Sequence, residues 1–314
     1  MHRQNKSHKL EVKRVKGDKM MEYIPAKTLI TRNKDMSWFG ARYNMNIYRG
    51  CSHGCIYCDS RSGCYQIEEF SKVRAKSDAL AIIRKQLRGR IGAGVISTGA
   101  MSDPYNPFEK ELELTREALK LIDTYHFGVA IATKSNLIER DLDILSQINK
   151  HSPTIVKITV TASEDELSKL VEPNVCPSSK RFEALKRVAD AGIFCGVLMM
   201  PILPFIEDNE ENIKGIIQKA ADSGVQFIYP AIGMTMREGQ REYFYKQLEK
   251  HFPGMRERYE KQYGNRYRCT SRNVKKLWEI FTQECKKYGI LYKMPDIIKA
   301  YQSGFWQEEQ LSLF

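Results

Sequence analysis

The sequence predicts an α/β fold built on a parallel sheet, and three observations carry that prediction. Six short runs rich in apolar and β-branched residues recur at 44–48, 93–99, 127–133, 154–161, 193–200 and 226–232, the pattern of strands buried on both faces. Helical patterns separate them, near 72–89, 110–125, 140–149, 179–191 and 209–224. The last two of these end in Ala191-Gly192 and Ser223-Gly224, pairs that suit helix C-caps. Six strand-then-helix units in succession favour parallel pairing through right-handed crossovers.

The flanks read differently. Residues 1–20 hold too few apolar side chains to offset the entropy of ordering, and are expected to be disordered or loosely docked. Within 21–43, Trp38 and Phe39 are the candidates to pack on the core. From 236 to 314 the pattern is charged and aromatic, helical, and without strand signals. The expected organisation is a basic, partly disordered segment 1–43, a core 44–235, and a helical extension 236–314 closing the mouth of the core.

Hydrophobic residues at 42% of 314 are those of a globular chain, long enough for one large domain with an appendage or for two domains. No run of eighteen apolar residues is present, which excludes a transmembrane helix of the usual kind. The polar start does not read as a secretory signal, so a cytoplasmic protein is expected. Eight cysteines, three of them clustered, read as reduced thiols plus a metal site, not a disulfide framework. The formal charge of +12 is unevenly placed: 21–235 carry 27 Lys/Arg against 26 Asp/Glu, while 1–20 contribute +5 and 236–314 contribute +6. Basic flanks favour polyanionic partners, or are simply a soluble surface.

The chemistry concentrates just after the first strand, in Cys51-Ser52-His53-Gly54-Cys55-Ile56-Tyr57-Cys58. Thiolates this closely spaced hold iron–sulfur centres or zinc. A closed zinc site wants four ligands, and a ferredoxin-type cluster takes four cysteines. Three cysteines on a 4Fe–4S cube leave one iron open to a substrate or cosubstrate. The alternative is a zinc knuckle with His53 as fourth ligand, which would strain a short loop. Gly50 and Gly54 suit a tight loop whose backbone passes close to a cluster.

Residues at later strand ends extend the site. After the second strand, Ser102 and Asp103 in Thr98-Gly99-Ala100-Met101-Ser102-Asp103-Pro104-Tyr105 can accept hydrogen bonds from an ammonium group, or Asp103-Pro104 simply starts a turn. Lys134, after the third, is costly to bury without an anion. Thr159 and Thr161 alternate onto one face of the fourth strand.

The cysteine spacing resembles the radical S-adenosylmethionine (SAM) superfamily, and the string from Tyr48 through Arg61, with Gly99 to Tyr105, is similar to its spore photoproduct lyase-like branch. The resemblance implies a partial (β/α)6 TIM-like barrel, a 4Fe–4S cluster on Cys51, Cys55 and Cys58, and SAM as cosubstrate, with an electron donor such as flavodoxin or ferredoxin. It implies reductive cleavage of SAM to a 5′-deoxyadenosyl radical that abstracts hydrogen from substrate. It assigns the SAM amino group to the Ser102–Asp103 loop, the carboxylate to Lys134, and the ribose or methionine moiety to Thr159 and Thr161. Apolar walls for adenine are expected at Met199 to Pro204 and Tyr229 to Met234, and Glu172-Pro173 with Ser178 to Arg181 read as a lid or helix cap. The best-known member of the branch carries a hydrogen-donating cysteine where Met101 stands here, so thymine-dimer repair is not carried over. Cys64, Cys176 and Cys195 read as buried apolar residues before they read as donors, and no C-x2-C pair supports a second cluster from Cys176, Cys269 and Cys285.

Two features concern partners. Residues 256–276 interleave Arg256, Arg258, Lys261, Arg266, Arg268, Arg272, Lys275 and Lys276 with Tyr259, Tyr263 and Tyr267, cations and rings that suit a nucleic-acid surface or a helix stripe packed on the core. The tail Gln310-Leu311-Ser312-Leu313-Phe314 resembles the peptide with which bacterial replication and repair proteins bind the DNA polymerase sliding clamp: Gln310, Leu311, Leu313 and Phe314 would be the anchors. The expectation is a radical SAM enzyme that repairs or modifies DNA or another nucleic acid. The alternatives are a small-molecule or protein substrate, or a non-catalytic, zinc-stabilised nucleic-acid-binding protein.

Overall fold

A computed structural model describes residues 11–14, 20–89 and 92–305; the clamp-like tail, Gln310 to Phe314, lies outside the described residues. In chain order the strands are β1 Glu11–Arg14, β2 Met20–Ile24, β3 Ile30–Arg32, β4 Tyr43–Met45, β5 Tyr48–Arg49, β6 Arg74–Lys76, β7 Val95–Thr98, β8 Gly128–Thr133, β9 Thr154–Thr159, β10 Phe194–Ile202, β11 Phe227–Thr235 and β12 Arg268–Thr270. The helices are α1 Ala79–Arg88, α2 Glu109–Leu112, α3 Leu114–Thr124, α4 Leu142–Ile148, α5 Asp165–Val171, α6 Ser178–Asp190, α7 Glu210–Asp222, α8 Gln240–His251, α9 Met255–Tyr263, α10 Val274–Lys287 and α11 Met294–Gln302.

The six predicted strands are all present. β4, β7, β8, β9, β10 and β11 lie side by side in sequence order, each pair parallel, with β3 and β12 added antiparallel at the two edges. This is the partial (β/α)6 barrel. All six residues of β9 are buried, as strands covered on both faces require. The covering helices present stripes at helical spacing: Ile213, Ile216, Ile217 and Ala220 on α7, Ala79, Ile83 and Leu87 on α1. Asn209 caps α7, its side-chain oxygen accepting from Asn212 N at 2.8 Å.

A second sheet, ordered β1-β2-β6-β5, differs from the expectation. It splits the first predicted strand, so that β4 joins the barrel while β5 pairs with β6 and leads into the cysteines. It also delays the predicted helix 72–89 to Ala79, because residues 74–76 bridge β2 and β5 instead. Glu11–Arg14, read as part of a disordered segment, pairs antiparallel with β2.

The extension beyond 235 is not purely helical. β12 pairs antiparallel with β11, Gly233 opposite Thr270 and Thr235 opposite Arg268. Three residues with one buried side chain, Cys269, leave too short a pattern to read in sequence. α11 goes to the opposite end from the mouth: Ile297 and Tyr301 pack with Phe39 against Val95, Ile155 and Phe227 near the starts of the strands. Tyr301 donates to Phe39 O and Phe39 N donates to Met294 Sδ, so the segment carrying Phe39 and α11 together plug the barrel base.

Candidate active site

The cysteine loop leaves β5 and crosses the C-terminal ends of the barrel strands. Cys51 N donates to Phe70 O at 2.8 Å, Ile56 N to Val171 O at 3.0 Å, and Asn174 N and Nδ2 to His53 O and Ser52 O. Gly50 and Gly54 both adopt positive φ. At Gly50 a Cβ would lie 2.2 Å from Lys72 O, so the close approach that demands glycine is to the 70–72 turn.

Cys55 is buried, and Cys51 and Cys58 are half-buried. Burial pushes the Cys51 thiol up to about 11, with the Asp103 carboxylate adding to it, and holds Cys55 well above the ordinary thiol value. Each of these two thiols also feels the charge of Cys58, so the three share one site. His53 turns away to Asp103, Nδ1 lying 3.6 Å from Oδ2. Among the described residues no three His, Cys, Asp or Glu side chains gather closely enough to hold one metal ion.

Beneath the loop, inside the barrel mouth, is a cavity of about 650 Å³ whose walls include Cys58, Asp103, Lys134 and Thr159. Asp103 accepts Thr133 Oγ1 at 2.7 Å and Tyr105 N at 2.9 Å on Oδ1, and Lys134 N at 2.8 Å on Oδ2. About four lone-pair directions per carboxylate leave it room for a further donor. Ser102 does not line the cavity; its hydroxyl donates to Gly50 O at 2.5 Å and ties the β7 loop to the cysteine loop. Nor does Thr161, which lies beside Glu207.

A buried charge network braces this arrangement. Tyr57 donates to Glu172, which pairs with Arg181, and Arg181 donates to Thr159 O at 3.0 Å and Cys176 O at 2.8 Å. Burial opposes the Glu172 carboxylate, but Arg181 and Lys134 outweigh it and hold its pKa below the ordinary value. Lys134 Nζ stands 4.0 Å from Glu172 Oε1. Burial works against its ammonium too, yet Cys55 and Glu172 keep it above the usual lysine value. Glu172, which is also the C-cap residue of α5 with its N–H donating to Ser168 O, and Arg181 are thus the hub joining β9, Lys134 and Tyr57. Their isolation in sequence gave no signal of that, since the partners are far apart in the chain.

The expected apolar walls are present in part: Met200, Pro201, Ile232 and Met234 line the cavity. Cys195 and Cys285 are core residues, Cys176 donates to Lys134 O at 3.3 Å, and Cys64 is exposed beside Arg237, 3.1 Å from Nη1, against the expectation of burial.

The model of the radical SAM superfamily matches residues 45–220, more than half of the sequence. The chain belongs to the radical SAM superfamily. An uncharacterized protein of Mycobacterium tuberculosis is 26% identical over 230 residues, 71% of this chain and 67% of its own. Another, of Methanocaldococcus jannaschii, is 35% identical over 175 residues, 54% of this chain and 64% of its own. Among solved structures, spore photoproduct lyase complexed with dinucleoside spore photoproduct superimposes with a TM-score of 0.64 at 17% identity, covering 86% of this chain and 81% of that one. A point mutant of spore photoproduct lyase gives 0.65 at 15% identity, with the same coverage. At such identities the likeness establishes the shared fold. The family implies a 4Fe–4S cluster and SAM, and this radical SAM site fits them: the Cys51 and Cys55 thiols, raised by burial, need a cationic centre beside them to ionise, and Asp103 and Lys134 offer an acceptor and a cation on the same cavity.

Proposed function

We propose that this radical SAM enzyme acts on DNA or another nucleic acid, with the cluster on Cys51, Cys55 and Cys58 and SAM in the cavity beneath. A reduced cluster bound there supplies the electron that cleaves SAM to methionine and a 5′-deoxyadenosyl radical. The chain's own residues position the partners. Asp103 presents its spare acceptor capacity to the SAM ammonium, and Lys134, kept protonated by Glu172, faces the carboxylate. Thr159 offers a hydroxyl on the same wall, and Ser102 locks the two loops that carry Asp103 and the thiols. Thr161 contributes through the strand end that it buries.

The observation that carries the substrate reading is the cavity rim. Arg268 on β12 stands at the mouth beside Tyr267, 45% exposed and 5.3 Å from the Arg237 guanidinium, while Trp38, 42% exposed, borders the cavity from the side of Phe39. Exposed rings beside cations suit unstacked bases and phosphates. Tyr259 and Tyr263 take no part, being buried with hydroxyls donating to Pro204 O and Thr270 O, so the stripe from 256 is largely a packing face. Docking to a sliding clamp through Gln310, Leu311, Leu313 and Phe314, and reduction by a flavodoxin or ferredoxin, belong to the same proposal.

Reductive incubation of the anaerobically purified protein with SAM and oligonucleotides tests it. The expected products are 5′-deoxyadenosine and, from deuterated oligonucleotide, deuterium within it; oligonucleotides that neither bind nor transfer label would remove nucleic acid from the proposal. Deletion of 310–314 is expected to abolish clamp binding in fluorescence anisotropy.

A further inference from the structure

One side chain of the cavity has no part in holding cluster or SAM. Lys157 sits in the middle of β9, on the same barrel-facing side as Thr159 and one layer nearer the base. It is 1% exposed, yet it lines the cavity. Its Nζ lies 4.4 Å from the centre of the Phe39 ring, and it donates to no acceptor and pairs with no carboxylate among the described residues. The residues beside it on neighbouring strands are Ala132 and Gly196; the Phe227 ring covers Gly196, and neither neighbour brings a polar group to the amine.

An unpaired buried ammonium is expensive, and one ring face offsets only part of that. Burial alone brings the Lys157 pKa down to about 7, with no neighbouring carboxylate to restore it. Of the other charged groups on the cavity, Asp59 pairs with Arg237 at 3.3 Å, and Asp103 and Lys134, tied to Thr133 and Glu172, are the groups assigned above to the two charges of SAM. Arg268 at the mouth is a second cation without a carboxylate partner among the described residues. From floor to mouth the unspent charge of this cavity is positive.

We propose that Lys157 is a specificity-determining residue whose ammonium receives a phosphate group on the part of the substrate that enters the barrel, with Arg268 guiding it in. The proposal rests on the reading that a nucleic-acid substrate enters at the cavity rim, reaching past SAM, and gives that substrate an anionic inner end. Ligand binding completes an ion pair that the folded protein leaves half made, so the free protein carries the penalty and the complex does not.

The test uses the full chain, purified anaerobically with its cluster, and calorimetric titration with thymidine 5′-monophosphate, thymidine and SAM. The wild-type protein is expected to bind the monophosphate about tenfold or more tightly than the nucleoside. Lys157→Met should erase that difference, leave SAM affinity unchanged and raise the thermal midpoint, because a methionine fills the space without a buried charge. A purely structural lysine would instead lower the midpoint and leave the monophosphate preference intact. Lys157→Gln provides the same comparison should the methionine variant fail to fold. The proposal is overturned by a monophosphate preference that persists in the variants or is absent from the wild type, and equally by a parallel loss of SAM affinity, which would make the amine a cosubstrate contact. Phosphate binding that depends on Lys157 in a protein that ignores oligonucleotides would retain the anion seat and remove the nucleic-acid reading.

Discussion

The two ends of the barrel are built from different materials. At the mouth, polar and ionised groups from distant parts of the chain are buried together, Tyr57, Glu172, Arg181, Asp103 and, just beyond β10, Glu207, with the half-buried Lys134 beside them. At the base, Phe39, Phe227 and Tyr301 close the strands with rings and Ile297 packs among them, Phe39 and Phe227 5.6 Å apart. The base gains from every area it buries. The mouth holds charges that stabilise only as complete sets, since a buried ion left alone carries an uncompensated desolvation penalty. Stability is concentrated at one end and chemistry at the other.

The sharpest way to separate the ends is to remove a thiol. Cys58→Ala is expected to abolish the iron–sulfur absorbance and 5′-deoxyadenosine formation below detection while the far-ultraviolet dichroism is unchanged, because the base still holds the fold; lost dichroism would show that the ends are not independent. Next is Arg181→Met, which leaves Glu172 buried without its partner and should cost about 3–5 kcal/mol in urea unfolding. A loss under about 1 kcal/mol would mean that the mouth network is not the coupled set described.

Glu207 gives a pH signature peculiar to the mouth. Burial raises its pKa from the ordinary 4.5 to about 8, outweighing the hydrogen bond that its Oε2 accepts from Leu203 N. Between those values the folded state keeps a proton that the unfolded state has released, so stability falls as pH rises through this window and levels off above 8. Glu207→Gln should flatten that slope in denaturation measured from about pH 5 to 8; an unchanged slope would assign it elsewhere. The smallest effect belongs to the base, where Tyr301→Phe removes one donor to Phe39 O and should cost about 1 kcal/mol with no change in cluster content.

The strands of the barrel were legible because each lies in a run dominated by apolar and β-branched residues and most are followed by a helix with a one-sided stripe, a local pattern that survives folding. The helix expected at 72–89 was overextended for the converse reason: residues 74–76 pair with β2 and β5, and no local signal records a long-range backbone partner. β12 and the 165–171 helix were too short to leave a period. In the site, Asp103 and Lys134 could be read from their position after a strand, and both line the cavity. Ser102 and Thr161 follow the same rule yet point elsewhere, because a side chain's direction at a strand end is set by the loop that receives it.

By itself the sequence determined the order of six βα units, the place of three thiols after the first strand, and the family to which that spacing belongs, since periodicity and spacing are properties of neighbouring residues. Only the tertiary structure decided that Glu172 and Arg181 would brace β9 and the cysteine-loop tyrosine, that His53 would face Asp103, and that Lys157 would stand unpaired on the cavity floor. A buried charge finds or lacks its partner through the packing of strands remote in the chain, and no local pattern encodes that distance.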